Sequence, residues 1–282
     1  MVNYQYNRAL SHSGLMLEKL FHVEQLLGTQ GLFLDKPFTS EVALPNSDLY
    51  FELGNIDDAQ RYAFESQTLM PYSPRVLKRL VVNCIIQGNV GGANTYLNIL
   101  SKNPIEKPWV EKYNTFVTDL SLSNSDPEIV SKRRDMIKTE GIFITPHEKL
   151  VSLLQKNPKN KQAFEYIIAF DLMEHDLASF IEDMSLINEQ KYQKLPTVIE
   201  EALVLFRSQR PNLEFLSSFN ISKETTRRFS EFAKLTRANR GDREKAKLAT
   251  ADYKNTYWYY VLFLSPVVTK AKLETQPVDA NY

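Results

Sequence analysis

Residues 53–71 read LGNIDDAQRYAFESQTLMP, and residues 87–104 read QGNVGGANTYLNILSKNP. The two stretches align at an offset of 34, with Gly54-Asn55 on Gly88-Asn89 and Ala59 on Ala93. Pro71 closes the first stretch, and Pro104 closes the second one residue early. Each piece has its own physical reason. Gly supplies the left-handed conformation that ends a helix. A small Ala one turn into the next helix lets the two helices of a hairpin approach closely. Pro, which lacks an N–H, stops that second helix. The alignment therefore predicts two successive helix hairpins, near residues 40–73 and 74–107.

Helical spacing continues on both sides. Met16, Leu20, Val23 and Leu27 form one stripe; Leu177, Phe180, Ile181 and Met184 form another; Phe229, Phe232 and Ala233 fit a third. Asp126 before Pro127 reads as an N-cap, with Gly141 where that helix would end. Thr145, Pro146 and Glu148 have the spacing of a capping box. The segment 156–180, KNPKNKQAFEYIIAFDLMEHDLASF, reads as a further helix pair that lacks the glycine. More helices are expected near 196–209, 222–239 and 242–254. The turn-rich stretch 121–126, SLSNSD, reads either as a seam between subdomains or as an ordinary loop within one continuous domain. With the seam, the expected organisation is 1–122, 123–268 and a polar tail at 269–282. The fold class is all-α, with stacked antiparallel hairpins in a short right-handed superhelix and irregular pairs toward the C-terminus.

Composition excludes more than it names. Lys+Arg and Asp+Glu both number 34 in 282 residues, without the basic excess typical of nucleic-acid proteins, so no nucleic-acid partner is expected. Nine Gly leave little for phosphate loops, and a single Cys, Cys84, excludes a disulfide framework or multi-Cys metal site. The signatures of acyl transfer, phosphate cradling and zinc binding are missing, so no catalytic residue, metal or cofactor is expected. The start, MVNYQYNRAL, lacks the apolar core of an export signal. The most apolar run, Tyr257 to Leu264, is far shorter than the roughly 20 residues of a membrane-spanning helix and reads as a last helix on the core.

The 34-residue unit resembles the tetratricopeptide repeat. The match departs in places: Pro45 is expected to shorten the first helix, and Ala63 or Leu97 stands where a large aromatic belongs. That resemblance implies a concave groove lined by first-helix side chains, and its register puts Arg75, Lys78, Arg79, Asn83 and Ile86 there. Some such grooves hold a peptide's terminal carboxylate. Here Asn83 is one position off the usual Asn, and Asp48 stands where another groove residue belongs, so only a weaker cationic patch for an acidic peptide is implied. Pairing of those cations with Asp48, Glu52, Asp57 or Asp58 is the competing reading. The combination of LFHVEQ (20–25), the repeat segments and NTYWYY (255–260) also resembles an uncharacterised bacterial family. In that family a multi-pass membrane region precedes a helical-repeat domain.

The expected function is a non-enzymatic scaffold for a protein or peptide partner, as a soluble domain tethered to a membrane. The alternative is a helical domain that assists or regulates an enzymatic or transport activity of an upstream membrane region. Residues 223–247, with nine Lys/Arg and four Asp/Glu, add an expected peripheral contact with anionic lipid.

Overall fold

The computed structural model describes residues 1–34, 39–137 and 145–267. Among these residues every regular element is helical, and the chain is all-α. In chain order the α-helices are α1 (Val2–His12), α2 (Met16–Lys19), α3 (Ser40–Leu53), α4 (Ile56–Leu69), α5 (Pro74–Gln87), α6 (Val90–Leu100), α7 (Lys107–Thr118) and α8 (Pro127–Asp135). They continue as α9 (Pro146–Lys156), α10 (Lys161–Glu174), α11 (Leu177–Asp183), α12 (Thr197–Gln209), α13 (Glu214–Ser217), α14 (Lys223–Ala238), α15 (Arg243–Ala249) and α16 (Tyr257–Tyr259). The tail expected at 269–282 lies outside the described residues.

Contacts divide the chain into two compact units, Leu34–Ala163 on the one hand and Met1–Phe33 with the chain from Phe164 onward on the other. The boundaries of these units do not fall at 121–126, where the ordinary-loop reading fits. That stretch forms a 3-10 turn, Leu120–Ser125, packed on α7 and α8 inside the first unit. Residues 1–33 do not belong with the hairpins either, because α2 packs on α12. A boundary read along the sequence misses a unit assembled from two distant segments.

In the Leu34–Ala163 unit, α3 with α4 and α5 with α6 are hairpins joined by two-residue turns. Gly54 (φ 93°) and Gly88 (φ 75°) adopt the left-handed conformation. The following amide closes back on the helix, from Asn55 to Tyr50 O at 2.9 Å and from Asn89 to Cys84 O at 2.8 Å. Each Asn then caps the next helix, accepting from the N–H of Asp58 or Gly92. The same turn recurs in the other unit, where His175 (φ 60°) takes the glycine's place and Asp176 N–H reaches Asp171 O at 2.9 Å. Segment 156–180 is therefore the helix pair without glycine that its sequence suggests.

Other expectations divide. Asp126 caps α8, and Thr145 with Glu148 forms the complete capping box of α9. Helix α8 already stops at Asp135, and Gly141 lies outside the described residues. Pro45 does not shorten α3: it sits inside a helix of 14 residues, near its start. The stripe Met16–Leu27 is not one helix. Helix α2 ends at Lys19, a single 3-10 turn follows, and Val23 is extended. The buried Gln25 amide donates to Leu20 O at 2.9 Å and to Asn7 Oδ1 at 2.9 Å, taking a carbonyl that a continuing helix would have used.

The unit containing the termini is built around α10, whose Phe164, Ile167, Ile168, Leu172 and Met173 are buried. Glu165 and Asp171 of the same helix are buried as well, so it is enclosed by its neighbours. The run 257–264 packs there too, as a short α-turn continuing into a π-helix from Tyr260 to Leu264. Phe21 stacks on Tyr260 at 4.8 Å, Phe206 meets Tyr257 at 6.1 Å, and the Tyr257 hydroxyl donates to Leu172 O at 3.1 Å. Phe229 and the buried Phe232 pack on Trp258, as their helical spacing suggests.

Candidate functional site

Helix α5 starts with Pro74 at its first position and buries Val76, Leu77, Leu80, Val81, Cys84 and Ile85. That stripe leaves Arg75, Lys78 and Arg79 together on the opposite face, since residues three and four apart are neighbours on a helix. All three are paired. Arg75 and Arg79 both donate to the Asp48 carboxylate of α3, Arg79 at 2.9 Å. The Lys78 ammonium lies 2.5 Å from Glu106, in the turn before α7. The competing expectation thus holds for Asp48, while Lys78 pairs with Glu106, outside the stretch 48–58. Exposure separates the cations, with Arg75 at 68% and Arg79 at only 19%.

Aromatic rings flank the charges. The Arg79 guanidinium sits 3.8 Å from the centre of the Phe51 ring, and Lys78 lies 5.5 Å from Trp109, which stacks on Tyr113 at 3.9 Å. Lys132 of α8 approaches the same Phe51 at 5.5 Å and donates to Glu52 O at 2.5 Å. Burial holds its amine below the usual lysine range.

Asn83 and Ile86 do not join this face. Both are buried. The reason is α8, which packs against α5 and sends Arg133 to Ile85 O at 3.2 Å, Ser123 Oγ at 2.9 Å and Asn124 Oδ1 at 2.8 Å. A guanidinium on the last carbonyls of a helix satisfies acceptors with no partner inside it. The exposed face thus ends near Arg79. Both amide atoms of Asn83 lack a hydrogen bond among the described residues.

The remaining singled-out residues have structural surroundings. Asp58 accepts from Asn55 Nδ2 at 2.7 Å and pairs with Arg61 at 3.0 Å and Lys149 at 2.8 Å, while Asp57 accepts from Gln87 at 3.0 Å. Cys84 is buried, which pushes its thiol up, and Gln60 Nε2 lies 3.7 Å from its sulfur. The His175 ring meets Tyr260 at 6.1 Å, and burial lowers its pKa. Sequence reasoning missed Glu106, Trp109, Lys132 and Arg133. The run Lys132-Arg133-Arg134 was a legible signal, but its targets on α3 and α5 lie far off in sequence.

The model of a family of unknown function, DUF6057, matches residues 1–264. The chain belongs to this family. No curated protein and no solved structure matches it. The match takes in both the hairpins and the aromatic segment that ends at Leu264, so the DUF6057 pattern includes residues of both compact units.

Proposed function

We propose that this member of DUF6057 is a non-enzymatic scaffold whose tetratricopeptide-like hairpins bind an acidic peptide segment of a protein partner. One observation carries the reading. Three cations of α5 converge beside two aromatic rings, and their carboxylate partners come from neighbouring elements rather than from α5 itself. Arg75 is largely exposed, and the buried Asp48 keeps Arg79 when Arg75 turns to another carboxylate, so a partner carboxylate could replace Asp48 on Arg75 at small cost. Arg79 serves the fold instead, clamped between Asp48 and Phe51. The recurrence of one hairpin turn at Gly54 and Gly88 supports the repeat reading, and stacked hairpins act through extended surfaces.

The second part of the reading is location. Among the described residues no helix is long and apolar enough to cross a membrane. Tethering would come from a separate segment, as the resemblance to a family with a preceding multi-pass region implies.

Affinity capture from membrane extracts tests the reading, with the wild-type chain beside an Arg75→Glu, Lys78→Glu variant. Arg79 stays intact so that the variant folds. A protein retained by wild type and lost by the variant supports the scaffold reading. Equal retention, or no specific retention, rules it out.

A further inference from the structure

A second site lies in the unit that contains α14 and α15. Between the α14–α15 turn and the end of the π-helix is a cleft of about 320 Å³. That is at the lower end of the volumes that hold small ligands. Its lining combines polar Thr236, Asn239, Arg240, Asp242 and Arg243 with apolar Ala246, Leu262 and Phe263. Phe263 and Ala246 belong to the buried cluster that includes Trp258, so the apolar part of the lining continues the core.

The charge balance around the cleft is lopsided. The whole chain is neutral, yet residues 223–247 hold nine Lys/Arg against four Asp/Glu. Two of those acids, Glu224 and Glu231, are taken by Arg227, at 2.7 and 2.6 Å. A third, Asp242, lines the cleft but accepts from Lys245 N–H at 3.0 Å as the cap of α15. Among the described residues, Lys234, Arg237, Arg240, Lys245 and Lys247 have no ion pair. Arg243 directs one nitrogen to the π-helix carbonyls, 3.1 Å from Leu262 O and 2.9 Å from Phe263 O, and its other donors have no hydrogen bond among the described residues.

We propose that this cleft binds an anionic amphiphile, with its phosphate or carboxylate on Arg240 and Arg243 and its apolar chain against Ala246, Leu262 and Phe263. Arg suits such an anion because its fork of N–H donors matches two oxygens at once. The apolar wall adds the burial that a free inorganic anion lacks. The same chemistry serves a lipid headgroup at a membrane or a soluble acyl or alkyl phosphate.

The test uses Trp258 as reporter in the full chain carrying Trp109→Phe, which removes the other tryptophan. Octyl phosphate is expected to give a saturable change in fluorescence, at a concentration about tenfold or more below that needed with inorganic phosphate or 1-octanol. Arg240→Glu, at an exposed position, is expected to weaken octyl phosphate binding by about tenfold while the melting temperature stays unchanged. Sedimentation with phosphatidylcholine vesicles with and without phosphatidic acid separates the sources. Binding that needs phosphatidic acid and Arg240 identifies a lipid headgroup; octyl phosphate binding without vesicle binding identifies a soluble amphiphile. No saturation, equal binding of octanol or inorganic phosphate, or an Arg240→Glu variant that binds as wild type overturns the proposal.

Discussion

Gly54 and Gly88 end helices in the same left-handed turn, but a Cβ on Gly54 would meet Asp135 Cβ at 3.0 Å, whereas one on Gly88 would meet nothing within 4 Å. Gly54 lies under a polar cover, where Asn157 donates to Asp135 Oδ1 at 2.8 Å and Asn160 to Leu53 O at 2.9 Å. The pair separates the conformational cost of a side chain from its steric cost. Gly88→Ala should lower stability by about 1 kcal/mol, the backbone term alone. Gly54→Ala should lose clearly more, roughly 2–3 kcal/mol, because the cover must also shift. Urea unfolding of both variants measures this, and equal losses would contradict the cover over Gly54.

Arg75 and Arg79 share one acceptor and differ in surroundings. Arg75→Ala should change stability by less than about 0.5 kcal/mol, as for most exposed ion pairs. Arg79→Ala also removes a ring contact at 3.8 Å and a guanidinium that is itself only 19% exposed, so a loss of about 2 kcal/mol is expected. Chemical denaturation of the two single variants decides the order, and a larger loss for Arg75→Ala would reverse the assignment of roles.

The helices were legible wherever local chemistry fixes them. Gly54, Gly88, Asp126 and Thr145 each act on the backbone within a few residues, so their turns and caps follow from spacing alone. The stripe Met16–Leu27 misled because its apolar spacing suits a helix while a distant polar pair, Gln25 and Asn7, ends it. The candidate site was half legible for the same reason. Arg75, Lys78 and Arg79 share a face by periodicity, but the burial of Asn83 and Ile86 depends on α8, some fifty residues on. Likewise, no local pattern announces that residues 1–33 join the chain beyond 164.

Glu201 gives the fold a pH dependence whose sign is opposite to that of a salt-bridged carboxylate. Its side chain is 2% exposed and accepts the Tyr257 N–H at 2.8 Å, and burial pushes its pKa up to about 8 from an ordinary 4.5. Between those values the folded chain holds a proton that the unfolded chain has lost. Stability from this group is therefore fully present below about pH 4.5, falls as pH rises toward 8, and levels off above that. The full gap corresponds to a few kcal/mol. Glu201→Gln keeps an acceptor for Tyr257 and cannot ionise. The difference in unfolding free energy between variant and wild type should thus grow in the variant's favour from pH 5 to pH 8. Parallel pH profiles would show that Glu201 ionises normally in the folded state.

Asn83 offers the sharpest separation of fold from binding. It is fully buried in α5, and neither its amide oxygen nor its nitrogen has a hydrogen bond among the described residues. An unsatisfied buried amide costs about 1–3 kcal/mol, and an apolar side chain of similar volume removes that cost. Asn83→Leu should therefore raise stability by about 1–2 kcal/mol. The same variant should capture any partner of Arg75 and Lys78 as wild type does, because position 83 does not reach that face. Calorimetric unfolding and the capture assay, run on one preparation, test both halves. A destabilised Asn83→Leu would reveal a hydrogen-bond partner such as an internal water. A stable variant that loses capture would instead return Asn83 to the groove.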